Sequence, residues 1–110
     1  MSLHSNFANR CTFDVCLVEK TSLRHTLAGV PVVEAVVAFD APQVENHQPR
    51  QAAFELSVIA IGEMAQVLNQ ANSGQFYRVQ GFLNRKSLKS VKLRLHLTHL
   101  SPLSVDDSLN

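Results

Sequence analysis

The sequence predicts a single all-β domain, a small closed barrel of five strands with one helix. Three observations carry this. Apolar side chains alternate with period two in separate short stretches, and one stretch between the third and fourth of them keeps helical spacing instead. The chain has 110 residues, 45% hydrophobic and 17% charged, which is room for one hydrophobic core and no second domain.

In the first strand Cys11, Phe13, Val15 and Leu17 alternate with Thr12, Asp14 and Cys16. Gly29 closes the next loop before Val30-Pro31, proline being tolerated at the first residue of a strand. Residues 32–39 form a nearly unbroken β-branched run, the pattern of a second strand buried on both faces. Residues 42–49, rich in Gln, Asn and His between two prolines, read as a polar loop. The third strand alternates Ala52, Phe54, Leu56 and Val58 with Gln51, Ala53, Glu55 and Ser57. Met64, Val67, Leu68 and Ala71 then give one apolar helical face, and Asn72-Ser73-Gly74 supplies the stop. In the fourth strand Tyr77, Val79, Gly81 and Leu83 alternate with Arg78, Gln80, Phe82 and Asn84. In the fifth, Val91, Leu93, Leu95 and Leu97 alternate with Lys92, Arg94, His96 and Thr98. The short polar connection 86–90 makes the last two strands a hairpin with a cationic tip. The domain is expected over 9–100, with residues 1–8 disordered (Met1-Ser2-Leu3 as a candidate expression scar) and 101–110 a flexible tail. Three strands, a helix and two strands are the element order of the OB-fold, a five-stranded Greek-key barrel with its helix between strands three and four.

Charge is unevenly distributed. Residues 1–63 hold four Lys/Arg against seven acids, whereas residues 64–105 hold six Lys/Arg and no acid. Five of those six are Arg85, Lys86, Lys89, Lys92 and Arg94, a local positive potential suited to phosphates or to an acidic partner. A merely solvated face would read the same way. No apolar run approaches the length of a membrane span, no signal peptide opens the chain, and two cysteines are too few for a disulfide scaffold, so a cytoplasmic protein is expected. Cys11 and Cys16 differ by an odd number on one strand and face opposite sides, as do His96 and His99. His4, His25 and His47 have no ligand-type neighbours at zinc-like spacing, so no metal or other cofactor is expected. The acids form no evident pair, no nucleophile motif is present, and the four glycines are isolated. The pattern predicts no enzyme.

Asn9-Arg10 before the first strand, Leu27-Ala28-Gly29-Val30-Pro31 before the second, and Val79-Gln80-Gly81-Phe82-Leu83 in the fourth resemble the PriB family of primosomal replication proteins (primosomal replication protein N), relatives of bacterial single-stranded DNA-binding protein. The resemblance runs from about residue 9 to residue 100. It implies an OB-fold homodimer that binds single-stranded DNA during replication restart, beside the PriA helicase and other primosome proteins. The short segment after the fifth strand favours PriB over its long-tailed relative. Carried over position by position, the family's DNA contacts fall on Arg24 between the first two strands, on Arg50 entering the third, and on Arg85, Lys86, Lys89 and Lys92 in the final hairpin, a loop shorter than in enterobacterial members. The family's tryptophan on the outward face of strand three is Ala53 here, and its basic residue near the end of strand two is Asp40. Phe82 is the best outward aromatic left, equally readable as a packing contact; Phe54 has core parity, and Phe39, at the end of strand two, reads as core. Binding dominated by electrostatics is therefore expected. Two other functional classes stay open: a general single-stranded DNA- or RNA-binding OB protein, and an interaction module that docks an acidic partner.

Overall fold

A computed structural model describes residues 4–104. Its elements are β1 (Cys11–Lys20), β2 (Arg24–His25), β3 (Pro31–Glu45), β4 (Gln48–Ile61), α1 (Glu63–Asn69), β5 (Phe76–Arg85) and β6 (Leu93–Leu103). The strands lie in the order β1-β5-β6-β4-β3-β2, and a further β1–β3 pairing closes the sheet into a barrel. All pairings are antiparallel except the seam, where Ser57, Val58 and Ile59 of β4 run parallel to Arg94, Leu95 and His96 of β6. This is the five-stranded OB architecture, with β2 a two-residue addition on the edge of β3. Among the described residues, no helix is long and apolar enough to cross a membrane.

The alternating residues fill the barrel as their parity dictates. Val15 and Leu17 of β1, Val33 and Val37 of β3, Val58 and Ala60 of β4, Val79 of β5, and Leu95 and Leu97 of β6 are buried in one cluster. On α1 the buried residues are Ala65 and Leu68, with Met64 partly covered, while Val67, expected on the apolar face, is exposed. The buried face runs through Ala65, Leu68 and Ala71, and Val67 falls at its edge. Lys20 at the end of β1 donates from Nζ to the Asn69 carbonyl, supplying the cation that the last turn of α1 lacks.

Three boundaries differ from expectation. Residues 42–49 form no loop: β3 and β4 pair without interruption to Glu45↔Gln48, and Asn46 and His47, with φ of 52° and 61°, make a two-residue turn. Both prolines are accepted because this ribbon extends past the barrel, where its outer edges have no neighbour strand. β6 begins at Leu93 instead of Val91 and continues to Leu103, since Phe76, Tyr77 and Arg78 of β5 still have partners there. Within the segment expected to be disordered, the Phe7 N–H donates to the His4 carbonyl at 3.0 Å and the two rings stack. Residues 1–3 and 105–110 lie outside the described residues.

One irregularity governs the β5–β6 pairing. Gly81 faces Leu97, but the next partners are Gln80 and His99, so Thr98 is an extra residue in β6. The bulge resets the parity of everything after it. Leu100 turns inward against the core, and His99 comes to the outer face beside Gln80, the side His96 also occupies. The expected divergence of His96 and His99 is thereby overturned; among the described residues no group of three or more His, Cys, Asp or Glu is placed to hold a metal. Gly81 is what permits the approach, because a Cβ there would lie 2.0 Å from the His96 carbonyl oxygen. Gly81→Ala should therefore destabilise the protein by about 3 kcal/mol or more, as overpacking against unyielding backbone does. A urea melt with a lowered midpoint and an unchanged slope is the expected result.

Candidate nucleic-acid interface

The outward face of β5, β6, β4 and β3 is set by register. Phe82 lies opposite His96, His96 beside Ile59, and Ile59 opposite Glu34; in the adjacent row Asn84, Arg94, Ser57 and Val36 follow in turn. Phe82 and His96 stack with ring centroids 4.8 Å apart and planes 9° from parallel. His96 Nε2 is buried, with no hydrogen-bond partner among the described residues. Burial, and secondarily the neighbouring Arg94 charge, hold the imidazole below its ordinary value.

Above this face stands the β5–β6 connection. Its backbone closes on itself, with Lys86 N–H donating to the Lys92 carbonyl at 2.9 Å and Ser90 N–H to the Ser87 carbonyl at 3.1 Å. The Arg85 guanidinium donates to the Leu88 carbonyl at 2.9 Å, so this cation braces the loop from below. Lys86, Lys89 and Lys92 are exposed, and none of them is ion-paired among the described residues. Lys86 borders a groove shared with Glu19, Lys20, Thr21, Glu34 and Ser57.

The arginines are engaged differently. Arg24 on β2 contacts Glu34 at 2.9 Å, and Arg94 on β6 contacts the other oxygen of the same carboxylate at 3.5 Å. Arg78 forms a two-point pair with Asp14 at 2.8 and 3.0 Å, which holds the Asp14 carboxyl below its ordinary value. Arg50 contacts Glu45 at 3.4 Å.

Of the residues singled out by sequence, Arg85, Lys86, Lys89 and Lys92 share the β5–β6 hairpin, Phe82 stands outward on β5, and Arg24 is paired to Glu34, which lines one groove with Lys86. Arg50 stays apart. It is seven residues along β4 from Ser57, roughly 23 Å at strand rise, on the opposite parity. The two family positions that differ here, Asp40 and Ala53, face each other across β3 and β4 and leave no ring or cation between. Phe54 has core parity as expected but sits past the barrel wall, where it stacks on Phe39 at 5.4 Å and remains 40% exposed. Arg94 and Glu34 escaped the sequence-level site; the only signal was Arg94's outward parity within the cationic cluster.

The family described as "another single-strand binding protein family" matches residues 9–99. The replication restart protein PriB of Bordetella pertussis is 36% identical over 81 residues, 74% of this chain and 76% of that protein. The structure of PriB from Ralstonia solanacearum superposes with a TM-score of 0.82 at 31% identity, covering 89% of this chain and all of that one. The single-stranded DNA-binding protein of Thermus aquaticus, 19% identical, shares the fold with a TM-score of 0.71 over 89% of this chain and 51% of its own.

Because the imidazole is held below its ordinary value, the unfolded chain takes up the His96 proton first as pH falls below 6.5. Folded-state stability contributed by the neutral ring is thus present above that pH and lost as pH falls through the depressed folded value. His96→Phe keeps a ring on Phe82 with no proton to gain, so its thermal midpoint should drop less between pH 7.5 and 5.5 than that of the parent.

Proposed function

The chain belongs to the PriB proteins of the single-strand-binding family, and from that membership and the charge geometry we propose that it binds single-stranded DNA in replication restart. The role is that of a non-enzymatic accessory factor in the primosome. The observation that carries the reading is the set of exposed lysines, Lys86, Lys89 and Lys92, unneutralised on a braced hairpin at the edge of an outward sheet face. Free ammonium groups gain phosphate contacts by releasing counterions, whereas paired ones must first surrender a partner. The unpaired strand lies along the β5–β6 hairpin toward Arg24, and a base stacks on the face of Phe82 turned away from His96. Arg85 acts from beneath, by holding the loop, and Arg50 lies beyond this track.

Two further partners belong to the same reading. Leu88 and Val91 are 84% and 93% exposed among the three lysines, the mixture that suits an acidic and apolar protein surface such as the PriA helicase would offer. A second copy of the chain pairs along β1, whose residues 11–15 are bonded to β5 on one side only, since β3 joins at Cys16.

With Arg24, Lys86, Lys89 and Lys92 on phosphates, log affinity for oligo-dT should fall with log salt at a slope of about −2.8, from roughly 0.7 per phosphate. Fluorescence titration at several salt concentrations measures it, and a flat response would remove the proposal. Changing Lys86 and Lys89 together to Ala should reduce the slope by about 1.4 and weaken dT and dA equally. Phe82→Ala should cost about 1–3 kcal/mol that persists at high salt. A matched RNA oligomer competing as well as DNA would mark a general single-strand binder instead. Light scattering should give twice the 12.2 kDa of one chain, and a monomer mass would end the dimer assignment.

A further inference from the structure

Glu34 is the one acid among the described residues in contact with two arginines, one from each side of the seam. Its Oε2 meets Arg24 Nη2 at 2.9 Å and its Oε1 meets Arg94 Nη1 at 3.5 Å. Its backbone is fixed as well: the Thr21 N–H donates to the Glu34 carbonyl at 2.8 Å, and the Glu34 N–H donates to Thr21 Oγ1 at 3.1 Å. The carboxylate therefore cannot drift from the gap between the two guanidinium groups by strand movement; only its own side chain can swing. Arg94 is incompletely served by this arrangement. Its side chain is 22% exposed, its Nε is buried without a partner among the described residues, and its one ion pair is the longer of the two.

Two guanidinium groups converging on one pair of oxygens form a site for an oxyanion, and a phosphodiester offers the same pair of acceptors as a carboxylate. Glu34 and Lys86 line one groove, so this site opens beside the free lysines. We propose that Arg24 and Arg94 form a phosphate clamp whose resident anion is Glu34, which a nucleic-acid phosphate displaces on binding. The proposal rests on the single-stranded DNA reading above and adds Arg94 as a binding residue and Glu34 as a gate. With the strand absent, the carboxylate neutralises the two arginines and holds them in place. As a strand reaches the groove from Lys86, its phosphate takes over the guanidinium donors and the Glu34 side chain turns to solvent, where a carboxylate that is already over one-third exposed is readily hydrated. Weak anions and isolated phosphates do not win this exchange, whereas a polyanion anchored at the lysines does, because its next phosphate arrives at high effective concentration.

The test compares Glu34→Gln with Glu19→Gln in oligo-dT titrations at 50 and 200 mM salt, with far-UV circular dichroism and a melt on each protein. Both changes remove one negative charge from the same groove, but Glu19 is in no ion pair among the described residues. Glu34→Gln should bind more tightly than the parent, and its advantage should be about 2–3 times larger at 50 than at 200 mM salt, because a displaced Glu34 carboxylate takes up a counterion that glutamine does not. Glu19→Gln should give a smaller gain. Equal gains from both, or no gain from Glu34→Gln, overturn the clamp. Should Glu34→Gln fail to fold, Arg94→Gln decides: weakened binding with a shallower salt slope supports the clamp, and parental binding overturns it. Failure of the parent itself to bind oligo-dT removes the underlying reading and the clamp with it. Parental binding with no effect at Glu34 or Arg94 removes the clamp alone.

Discussion

The contact on which this molecule turns is backbone against backbone: the His96 carbonyl of β6 lies where a side chain at position 81 of β5 would be. Only glycine permits it. Beside it the bulge at Thr98 makes the switch that sends Leu100 into the core and brings His99 to the outer face. Core and surface are thus set by the same crossing. A side chain at position 81 would push β6 outward, loosening the packing of Leu95 and Leu97 and the alignment of the outward rings together.

A second constraint is electrostatic. Arg24, Arg50, Arg78 and Arg94 each have a carboxylate within 4 Å, whereas Lys86, Lys89 and Lys92 have none among the described residues. The planar guanidinium fork suits fixed pairing inside the fold, and the compact hydrated ammonium suits an open loop. Net charge near zero conceals this division. Arginines organise the seam between strands, and lysines set the field outside it.

Much of the barrel was legible because a strand with one wet face must alternate, and β1, β4, β5 and the start of β6 do. The ribbon of residues 42–49 was not, since both its faces are solvated, its two prolines read as loop, and Asn46-His47 lacks the glycine that usually marks such a turn. The bulge could not be foreseen from Thr98, because an extra residue leaves no trace in composition and shows only in the partner strand's register. The cationic hairpin was visible as a run of charge along the chain. Its connection to Glu34 was hidden, because Arg94 sits on β6, far along the chain from the β2–β3 pair that holds Arg24 and Glu34, and only the β4–β6 seam brings it beside them.

The seam itself bears on how the chain reaches this state. Hairpins join β3 to β4 and β5 to β6 through neighbouring residues, so each can form early and locally. The parallel contact of Ser57, Val58 and Ile59 with Arg94, Leu95 and His96 instead unites opposite halves of the chain, across the helix, β5 and the connection that follows it. Its closure entropy is due before any of its contacts are gained, which places barrel sealing late and makes this topology a slow folder beside a helical bundle of equal size.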